Sequence, residues 1–265
     1  MKISGPELAD LEDFALELGH TAGATALAYF RKPFAIDNKD SQGFDPVTSA
    51  DRAIETALRT SILERYPDHG IVAEEGGTRA GRGPYTWFID PIDGTKAFMM
   101  GSPLWGTLLG LTRQDVPLFG LLIQPVLSEV FVGSPGGAWL INERGRTRLQ
   151  SRACKELAKA VLACTHPSMF DAESGAAFEA LSAQCLLQRF GGDCYNYAML
   201  AAGFIDLVVE DRLKPYDIVP LIPILEAAGC TVTNWLGGSP AEGGQVVAAA
   251  TEQLHAQALQ ALNRG

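Results

Sequence analysis

The chain has 265 residues, of which 47% are hydrophobic, and its formal net charge is −10. This composition supports a large buried core, while the acidic balance disfavours nucleic acids and anionic membrane surfaces as partners. No run approaches the ~18 to 20 apolar residues of a membrane span, and the acidic N-terminus lacks the apolar segment of a secretory signal, so we expect a cytoplasmic protein.

The first half of the chain predicts two helices followed by strands. Apolar residues recur at helical spacing over 6–31 and 49–66, and Thr48 with Asp51 resembles a capping box at the second helix. The polar residues 36–47 separate these helices. A short strand over 70–75 ends in two acids, and the glycine-rich stretch 76–84 predicts a loop. Apolar strand candidates follow, over 85–90, 104–112, 117–125 and 129–134, with a hairpin at 134–141.

In the second half, strands and helices alternate. Strands are predicted over 160–164, 185–190, 204–210, 230–235 and 245–250, and helices over 172–184, 193–203, 217–229 and 251–263. The pattern predicts a mixed α/β fold of layered sheets and helices. Because no linker divides the chain, we expect one domain over 1–265, with two sheet-containing halves of roughly 1–150 and 151–265.

The stretch WFIDPIDGTKAFMMG (87–101) carries the clearest chemistry. Pro91 predicts that the strand ends there in a turn, which would aim Asp90, Asp93 and the Ile92 carbonyl into one space. Neighbouring buried carboxylates either share a proton or bind a cation, and this oxygen set suits Mg²⁺. Gly94 permits close approach of a ligand, and a helix beginning at Thr95 would point free N–H groups at an anion such as phosphate.

Other acids have similar positions, at the ends of strands and helices, where open α/β folds bind ligands. They are Glu74, Asp217, Asp45 and Asp51. Simpler interpretations remain open, since Asp-Pro and Asp-Gly are ordinary turn dipeptides, Asp217 could cap a helix and Glu74 could be a surface charge. The five cysteines show no paired spacing, and the scattered histidines do not predict a zinc site.

Four blocks of the sequence resemble the inositol monophosphatase superfamily of Mg²⁺-dependent phosphatases. They are WFIDPIDGTKAF, DPVTSAD (45–51), GIVAEEG (70–76) and YDIVPLIPILEAAG (216–229), and they occur in the family's order. The resemblance covers nearly the whole chain. It implies a layered αβαβα fold, a homodimer, and two or three Mg²⁺ ions per site.

The resemblance also implies roles for individual residues. Thr95, paired with Asp45, would orient a water that the metal ions activate, and the Gly94 and Thr95 amides would hold phosphate oxygens. The implied metal ligands are Glu74, Asp90 and the Ile92 carbonyl for the first Mg²⁺, Asp90, Asp93 and Asp217 for the second, and Glu74, largely through water, for a third and weaker site.

Within the superfamily, the stretches GGDCYNYAMLAAG and PYDIVPLIPILEAAG are most similar to the histidinol-phosphatase branch. That branch implies hydrolysis of L-histidinol phosphate, in histidine biosynthesis. Asp193 and Glu210 are candidate contacts for its ammonium and imidazole, although Asp193 is also a good helix N-cap. Arg189 is either a structural pair or a contact at the rim of the site. Pro223 inside a predicted helix implies a kink or an irregular first turn, and Lys96 and Cys230 remain uninterpreted.

Two other functions remain open at this point. One is a phosphatase of the same superfamily that acts on inositol 1-phosphate, on nucleotide 3′-phosphates or broadly. The other is a regulatory relative that binds without hydrolysis. The presence of Glu74, Asp90, Asp93 and Asp217 argues against the second, because an inactive relative is expected to lose at least one of them.

Overall fold

The predicted helices and strands occur in the predicted order along the chain, and the structure adds short strands at 36–38, 46–48, 77–79 and 145–148 that the apolar pattern did not predict. The computed structural model describes residues 5–32, 36–38 and 46–263. None of the helices in these ranges combines the length and the apolar composition that a bilayer-spanning helix requires. The helices are α1 (Gly5–Tyr29), α2 (Ser49–Arg65), α3 (Thr95–Met99), α4 (Ala172–Ser182), α5 (Cys194–Ala201), α6 (Pro215–Ile218), α7 (Leu221–Ala227) and α8 (Glu252–Leu262), with 3₁₀ turns at Leu157–Lys159 and Pro167–Met169.

The strands form a two-stranded ribbon and two larger sheets. They are β1 (Ile36–Asn38), β2 (Pro46–Thr48), β3 (Gly70–Ala73), β4 (Gly77–Arg79), β5 (Tyr85–Asp93), β6 (Gly106–Arg113), β7 (Val116–Gln124), β8 (Glu129–Ser134), β9 (Gly137–Asn142), β10 (Gly145–Arg148), β11 (Val161–Cys164), β12 (Leu187–Phe190), β13 (Leu207–Leu213), β14 (Thr231–Asn234) and β15 (Gly244–Ala249). The eight-stranded sheet has the order β10-β9-β8-β7-β6-β5-β3-β4, and the five-stranded sheet has the order β12-β11-β13-β15-β14. In the larger sheet β3 and β5 run parallel, so their carboxyl ends lie at the same edge.

Three apolar clusters separate the layers. The first lies between α1, α2 and one face of the larger sheet, and it includes Leu18, Ile54 and Trp87. The second fills the space between the two sheets around α5 and α7. The third joins the smaller sheet to α4 and α8. The resulting order of helix, sheet, helix, sheet, helix confirms the predicted αβαβα architecture.

The start of α2 forms as its sequence predicts. The Thr48 hydroxyl oxygen accepts hydrogen bonds from the N–H groups of Ala50 and Asp51, at 3.1 and 3.4 Å. The Asp51 carboxylate in turn accepts the Thr48 N–H at 2.8 Å. This reciprocal capping box confirms the helix start, and it satisfies donors that the helix itself cannot pair.

A row of glycines lets α6 and α7 approach the larger sheet. Gly110, Gly120 and Gly133 lie directly opposite one another on β6, β7 and β8. A Cβ atom on Gly120 would lie 1.8 Å from the Pro220 carbonyl oxygen, and one on Gly133 would lie 2.2 Å from the Ile224 nitrogen. The row therefore forms a channel for the backbone that joins α6 to α7, and it places α6 against β5.

The predictions for residues 76–84 and 217–229 are wrong. The predicted loop over 76–84 contains β4, because Gly77–Arg79 pairs with β3 in antiparallel register. The single helix predicted over 217–229 is instead two helices, which separate at Val219 and Pro220. Pro223 is the third residue of α7, where an N–H group has no acceptor within the helix, so it disrupts no helical hydrogen bond.

Candidate metal centre

Asp90 and Asp93 lie at the carboxyl end of β5, on one face of the sheet. The predicted end of the strand at Pro91 is wrong, since β5 stays paired with β6 as far as Asp93. Asp90 pairs with Leu108 and Asp93 with Gly106, so three steps along β5 match two steps along β6. Residues two apart on a strand face the same way, and this bulge therefore brings the two carboxylates to the same side.

Local hydrogen bonds stabilise the bulge. Pro91 has no N–H group to leave unpaired, and its carbonyl accepts the Thr107 hydroxyl at 2.7 Å. The Ile92 N–H donates to Asp90 Oδ1 at 3.0 Å. The Ile92 carbonyl accepts the Thr95 hydroxyl at 3.1 Å. Proline is tolerated at a bulge, so Pro91, which was predicted to end the strand, lies within it.

Asp217 reaches the same position from the second half of the chain. One carboxylate oxygen from each of Asp90, Asp93 and Asp217 lies within 4.8 Å of the other two. Asp217 also accepts the Lys214 N–H at 2.8 Å, so it closes the first turn of α6 while it faces the cluster. Glu74 directly follows β3, the parallel neighbour of β5, and it hydrogen-bonds with Asp90.

Burial and mutual repulsion raise the pKa values of the clustered acids. Burial, followed by the charge of Glu74, holds the pKa of Asp90 well above its usual range. Burial raises the pKa of Asp93 to about 6, although hydrogen bonds from Cys194 act in the opposite direction. Burial and then the charge of Asp93 hold the pKa of Asp217 well above its usual range. A bound cation would reverse these shifts.

A cavity of about 240 Å³ opens onto the cluster. Gly94 lies on its wall with φ of +88°, and a Cβ atom there would lie 3.1 Å from the Leu104 carbonyl oxygen, so the position suits glycine. Helix α3 begins directly after it, at Thr95. Asp45, the predicted partner of Thr95, lies outside the described residues. The cavity is lined by Glu74, Asp90, Ile92, Asp93, Gly94, Thr95, Lys214, Tyr216 and Asp217.

Asp193 lies beside this cluster and does not cap α5 with its side chain. It occupies the N-cap position with φ of +44°, but its carboxylate accepts no hydrogen bond from the helix. Asp93 Oδ2 instead accepts the Cys194 N–H, at 2.5 Å. Burial raises the pKa of Asp193 to about 7, the charge of Asp93 adds to this, and Lys96 opposes it. The capping interpretation of Asp193 is therefore wrong, and Lys96 lies near enough to act on this carboxylate.

Glu210 is almost fully buried on β13. Its Oε1 accepts the N–H and the hydroxyl of Thr165 at 2.9 and 2.5 Å, and its Oε2 accepts the Tyr197 hydroxyl at 3.0 Å. Burial raises its pKa to about 7. Arg189 lies on the exposed edge strand β12 and forms no ion pair with any described residue. The charge of Asp193 contributes to this rise, so Glu210 lies near Asp193. Asp193, Glu210 and Arg189 are all absent from the residues that line the cavity.

Three contributors to the site escaped the sequence analysis. The first two are Lys214 and Tyr216, which line the cavity. Their place in the segment directly before Asp217 was the available signal. The third is the N–H of Cys194, which has no side-chain signature, because any residue except proline at the first position of α5 would supply it.

The site and the fold together match a known family. Residues 7–264 match the family model described as the inositol monophosphatase family. The chain belongs to the inositol monophosphatase family. It is accordingly a phosphatase, a phosphoric monoester hydrolase, and phosphatases of this family depend on metal ions, typically Mg²⁺. The resemblance found in the four sequence blocks is confirmed.

The relatives of this chain are named as different phosphatases. It is 38% identical to the bifunctional phosphatase IMPL2, chloroplastic, of Arabidopsis thaliana, over 98% of this chain and 78% of that protein. It is 29% identical to a histidinol-phosphatase of Chlorobaculum parvum, over 95% of this chain and 96% of that one. The solved inositol monophosphatase of Zymomonas mobilis superposes with a TM-score of 0.86 at 34% identity, covering 98% of this chain and 99% of the other.

Proposed function

We propose that the chain hydrolyses a phosphomonoester with the help of Mg²⁺, and that its preferred substrate is L-histidinol phosphate. The observation that carries the first part is the charge of the cavity. The described residues that line it include four carboxylates and, as the only cation among them, Lys214. Such an excess of negative charge repels a phosphate dianion unless cations bind between the two.

The donor set fits a hard cation. One carboxylate oxygen from each of Asp90, Asp93 and Asp217 lies within 4.8 Å of the other two, and the Ile92 carbonyl belongs to a residue of the same cavity wall. A set made only of oxygens suits Mg²⁺ better than metals that prefer nitrogen or sulphur. We assign Glu74, Asp90 and Ile92 to one ion, Asp90, Asp93 and Asp217 to a second, and Glu74 to a third and weaker one. When bound, Mg²⁺ would offset the charge of the acids, polarise the phosphate and lower the pKa of water.

The chain's own groups would bind the phosphate and orient the attacking water. Gly94 and Thr95 lie at the start of α3, where main-chain N–H groups lack helical acceptors and can donate to phosphate oxygens. The Thr95 hydroxyl donates a hydrogen bond to the Ile92 carbonyl. Its oxygen is therefore left to accept a hydrogen bond from water, which orients a water lone pair toward phosphorus. We propose that Asp45, paired with Thr95, helps to orient that water.

Asp193 and Glu210 support histidinol phosphate as the substrate. Burial raises the pKa of each to about 7, so the ionised form of each is costly until a positive charge approaches. Histidinol phosphate brings an ammonium and a titratable imidazole, whereas inositol phosphates bring only hydroxyl groups. The relative named histidinol-phosphatase supports this choice, and the solved inositol monophosphatase keeps inositol 1-phosphate as the second candidate.

Phosphate release from a panel of substrates tests the proposal. The panel is L-histidinol phosphate, inositol 1-phosphate, fructose 1,6-bisphosphate and adenosine 3′,5′-bisphosphate, each assayed with Mg²⁺ and with chelator. We expect turnover only with Mg²⁺, and a kcat/KM preference for histidinol phosphate of ~100-fold, about 2.7 kcal/mol of transition-state discrimination. Turnover in chelator contradicts the metal assignment, and a flat profile or a preference for inositol 1-phosphate contradicts the substrate.

Two variants sharpen the substrate test. Asp193→Asn and Glu210→Gln keep the side-chain volume and remove the charge, so each should lower kcat/KM for histidinol phosphate ~10-fold or more and change that for inositol 1-phosphate much less. Arg189→Gln is the control from the exposed edge strand. Equal losses on both substrates would show that these carboxylates act on the fold or the metal ions. The homodimer that the resemblance implies and the cytoplasmic location that we expect from the sequence pattern belong to the same proposal, and light scattering on the purified protein checks the dimer.

A further inference from the structure

A three-residue hairpin loop carries Glu74. Ala73 and Gly77 pair across the β3–β4 hairpin, so Glu74, Glu75 and Gly76 form the connection between the two strands. The Glu74 N–H donates to the Ile89 carbonyl at 3.2 Å, which attaches the first residue of the loop to β5. The rest of the loop lies at the edge of the sheet, since β4 is the last strand in the order. Its N–H groups need acceptors from another element.

Glu55 of α2 supplies those acceptors. Its Oε2 accepts the Glu75 N–H at 2.7 Å, and its Oε1 accepts the Gly76 N–H, also at 2.7 Å. The side chain of Glu55 is only 4% exposed. Arg59, one turn along α2, donates to Glu55 Oε1 at 3.2 Å and to the Gly77 carbonyl at 2.9 Å. Both carboxylate oxygens are thus engaged, and the loop is bound to α2 on either side of Gly76.

The close contact between the loop and the Glu55 carboxylate favours glycine at position 76. A Cβ atom on Gly76 would lie 2.5 Å from Glu55 Oε1 and 3.2 Å from Arg59 Nη1. Hydrogen bonds to a charged acceptor are roughly twice as strong as those to a neutral one. Two of them, accepted by one buried carboxylate, strongly restrict a loop of three residues.

We propose that Glu55 is a positioning residue of the metal centre: by accepting the N–H groups of Glu75 and Gly76, it holds Glu74 where a metal ion can bind it. The inference rests on the proposed function, because it takes Glu74 to be a metal ligand. Glu74 lines the cavity that opens onto the clustered acids, whereas Glu55 does not. Outer groups that orient a ligand change metal affinity by ~10- to 100-fold when they are removed.

Calorimetric titration of the metal-free protein with MgCl₂ tests this without relying on activity. Glu55→Gln keeps the volume of the side chain but leaves a single oxygen for two N–H donors, and Glu64→Gln on the exposed face of α2 is the matched control. We expect the Kd for Mg²⁺ to rise ~10- to 100-fold in Glu55→Gln and to stay unchanged in Glu64→Gln. We also expect excess Mg²⁺ to restore kcat in Glu55→Gln.

The outcomes separate this inference from the proposed function. If Glu55→Gln binds Mg²⁺ as the wild type does, the inference is overturned, even when its Tm in chelator falls, because the residue then only stabilises the fold. If the wild type binds no Mg²⁺, or Asp93→Asn binds it equally well, the proposed function itself fails. If Glu55→Gln does not fold, Gly76→Ala replaces it, since its methyl group pushes the carboxylate away from the loop. An unchanged Kd in that variant also overturns the inference.

Discussion

Replacing Asp93 with asparagine should stabilise the metal-free protein while it abolishes metal-dependent turnover. Asp93 lies among acids whose charges oppose its ionisation, and asparagine removes its charge at nearly constant volume. The side-chain carbonyl of asparagine can still accept the Cys194 N–H, which Asp93 Oδ2 accepts at 2.5 Å. The substitution therefore removes the repulsion and one proposed metal ligand, and it leaves the anchor to α5 in place.

The pKa of Asp93 gives the magnitude. Burial raises it from 3.8 to about 6, so the folded protein holds this proton more tightly than the unfolded chain. The resulting penalty is absent below the unfolded pKa, grows as the pH rises between the two values and is complete above the folded pKa. At 1.36 kcal/mol per pH unit it reaches about 3 kcal/mol at pH 8 and roughly half of that at pH 5. Because the side chain is partly exposed to the cavity and solvent screens it, we take 1 to 3 kcal/mol, or a rise in Tm of about 2 to 5 °C for a chain of this length.

Scanning calorimetry in chelator and in excess MgCl₂ checks both halves of the prediction. In chelator at pH 8, Asp93→Asn should melt above the wild type, and the difference should shrink at pH 5. Mg²⁺ should raise the Tm of the wild type and leave that of the variant nearly unchanged, because only a folded site that binds the ion gains stability. Asp13→Asn, on the exposed face of α1, is the control. A variant that melts below the wild type in chelator, or that keeps near-normal Mg²⁺-dependent turnover, would refute the reasoning.

Three further substitutions test the fold and the site. Gly120→Ala would place a methyl group 1.8 Å from the Pro220 carbonyl oxygen. We expect the free energy of unfolding by urea to fall by more than ~4 kcal/mol, or the variant not to fold. Gly83→Ala, the control, meets no such contact and should be nearly neutral. Thr48→Ala removes the cap of α2 and should cost about 1 kcal/mol by the same measurement. Gly94→Ala must adopt φ of +88°, at a cost of about 1 to 2 kcal/mol, so kcat/KM should fall ~10-fold or more while calorimetry finds Mg²⁺ binding largely retained.

Much of the fold can be predicted from residue patterns within single helices and strands. The apolar spacing of α1 and α2 and the Thr48–Asp51 capping box predict those helices to within a few residues, because capping and amphipathic packing depend on neighbours three or four residues away. The short sequence distance between Asp90 and Asp93 likewise predicts a cation site, since two buried acids that close together repel each other unless a cation or a proton neutralises them.

The remaining features depend on contacts between segments distant in the chain. From the local sequence alone, Pro91 is predicted to end the strand. The register of β5 against β6 instead makes Pro91 part of a bulge, which brings two carboxylates to one face. A separate row of glycines on three strands brings Asp217 to them, through Pro220. Asp193 has the sequence of a helix cap, yet Asp93 accepts the hydrogen bond of that helix. The sequence by itself therefore determined which chemical groups the site contains, whereas cross-strand register and close packing, which no local pattern records, decided where those groups meet.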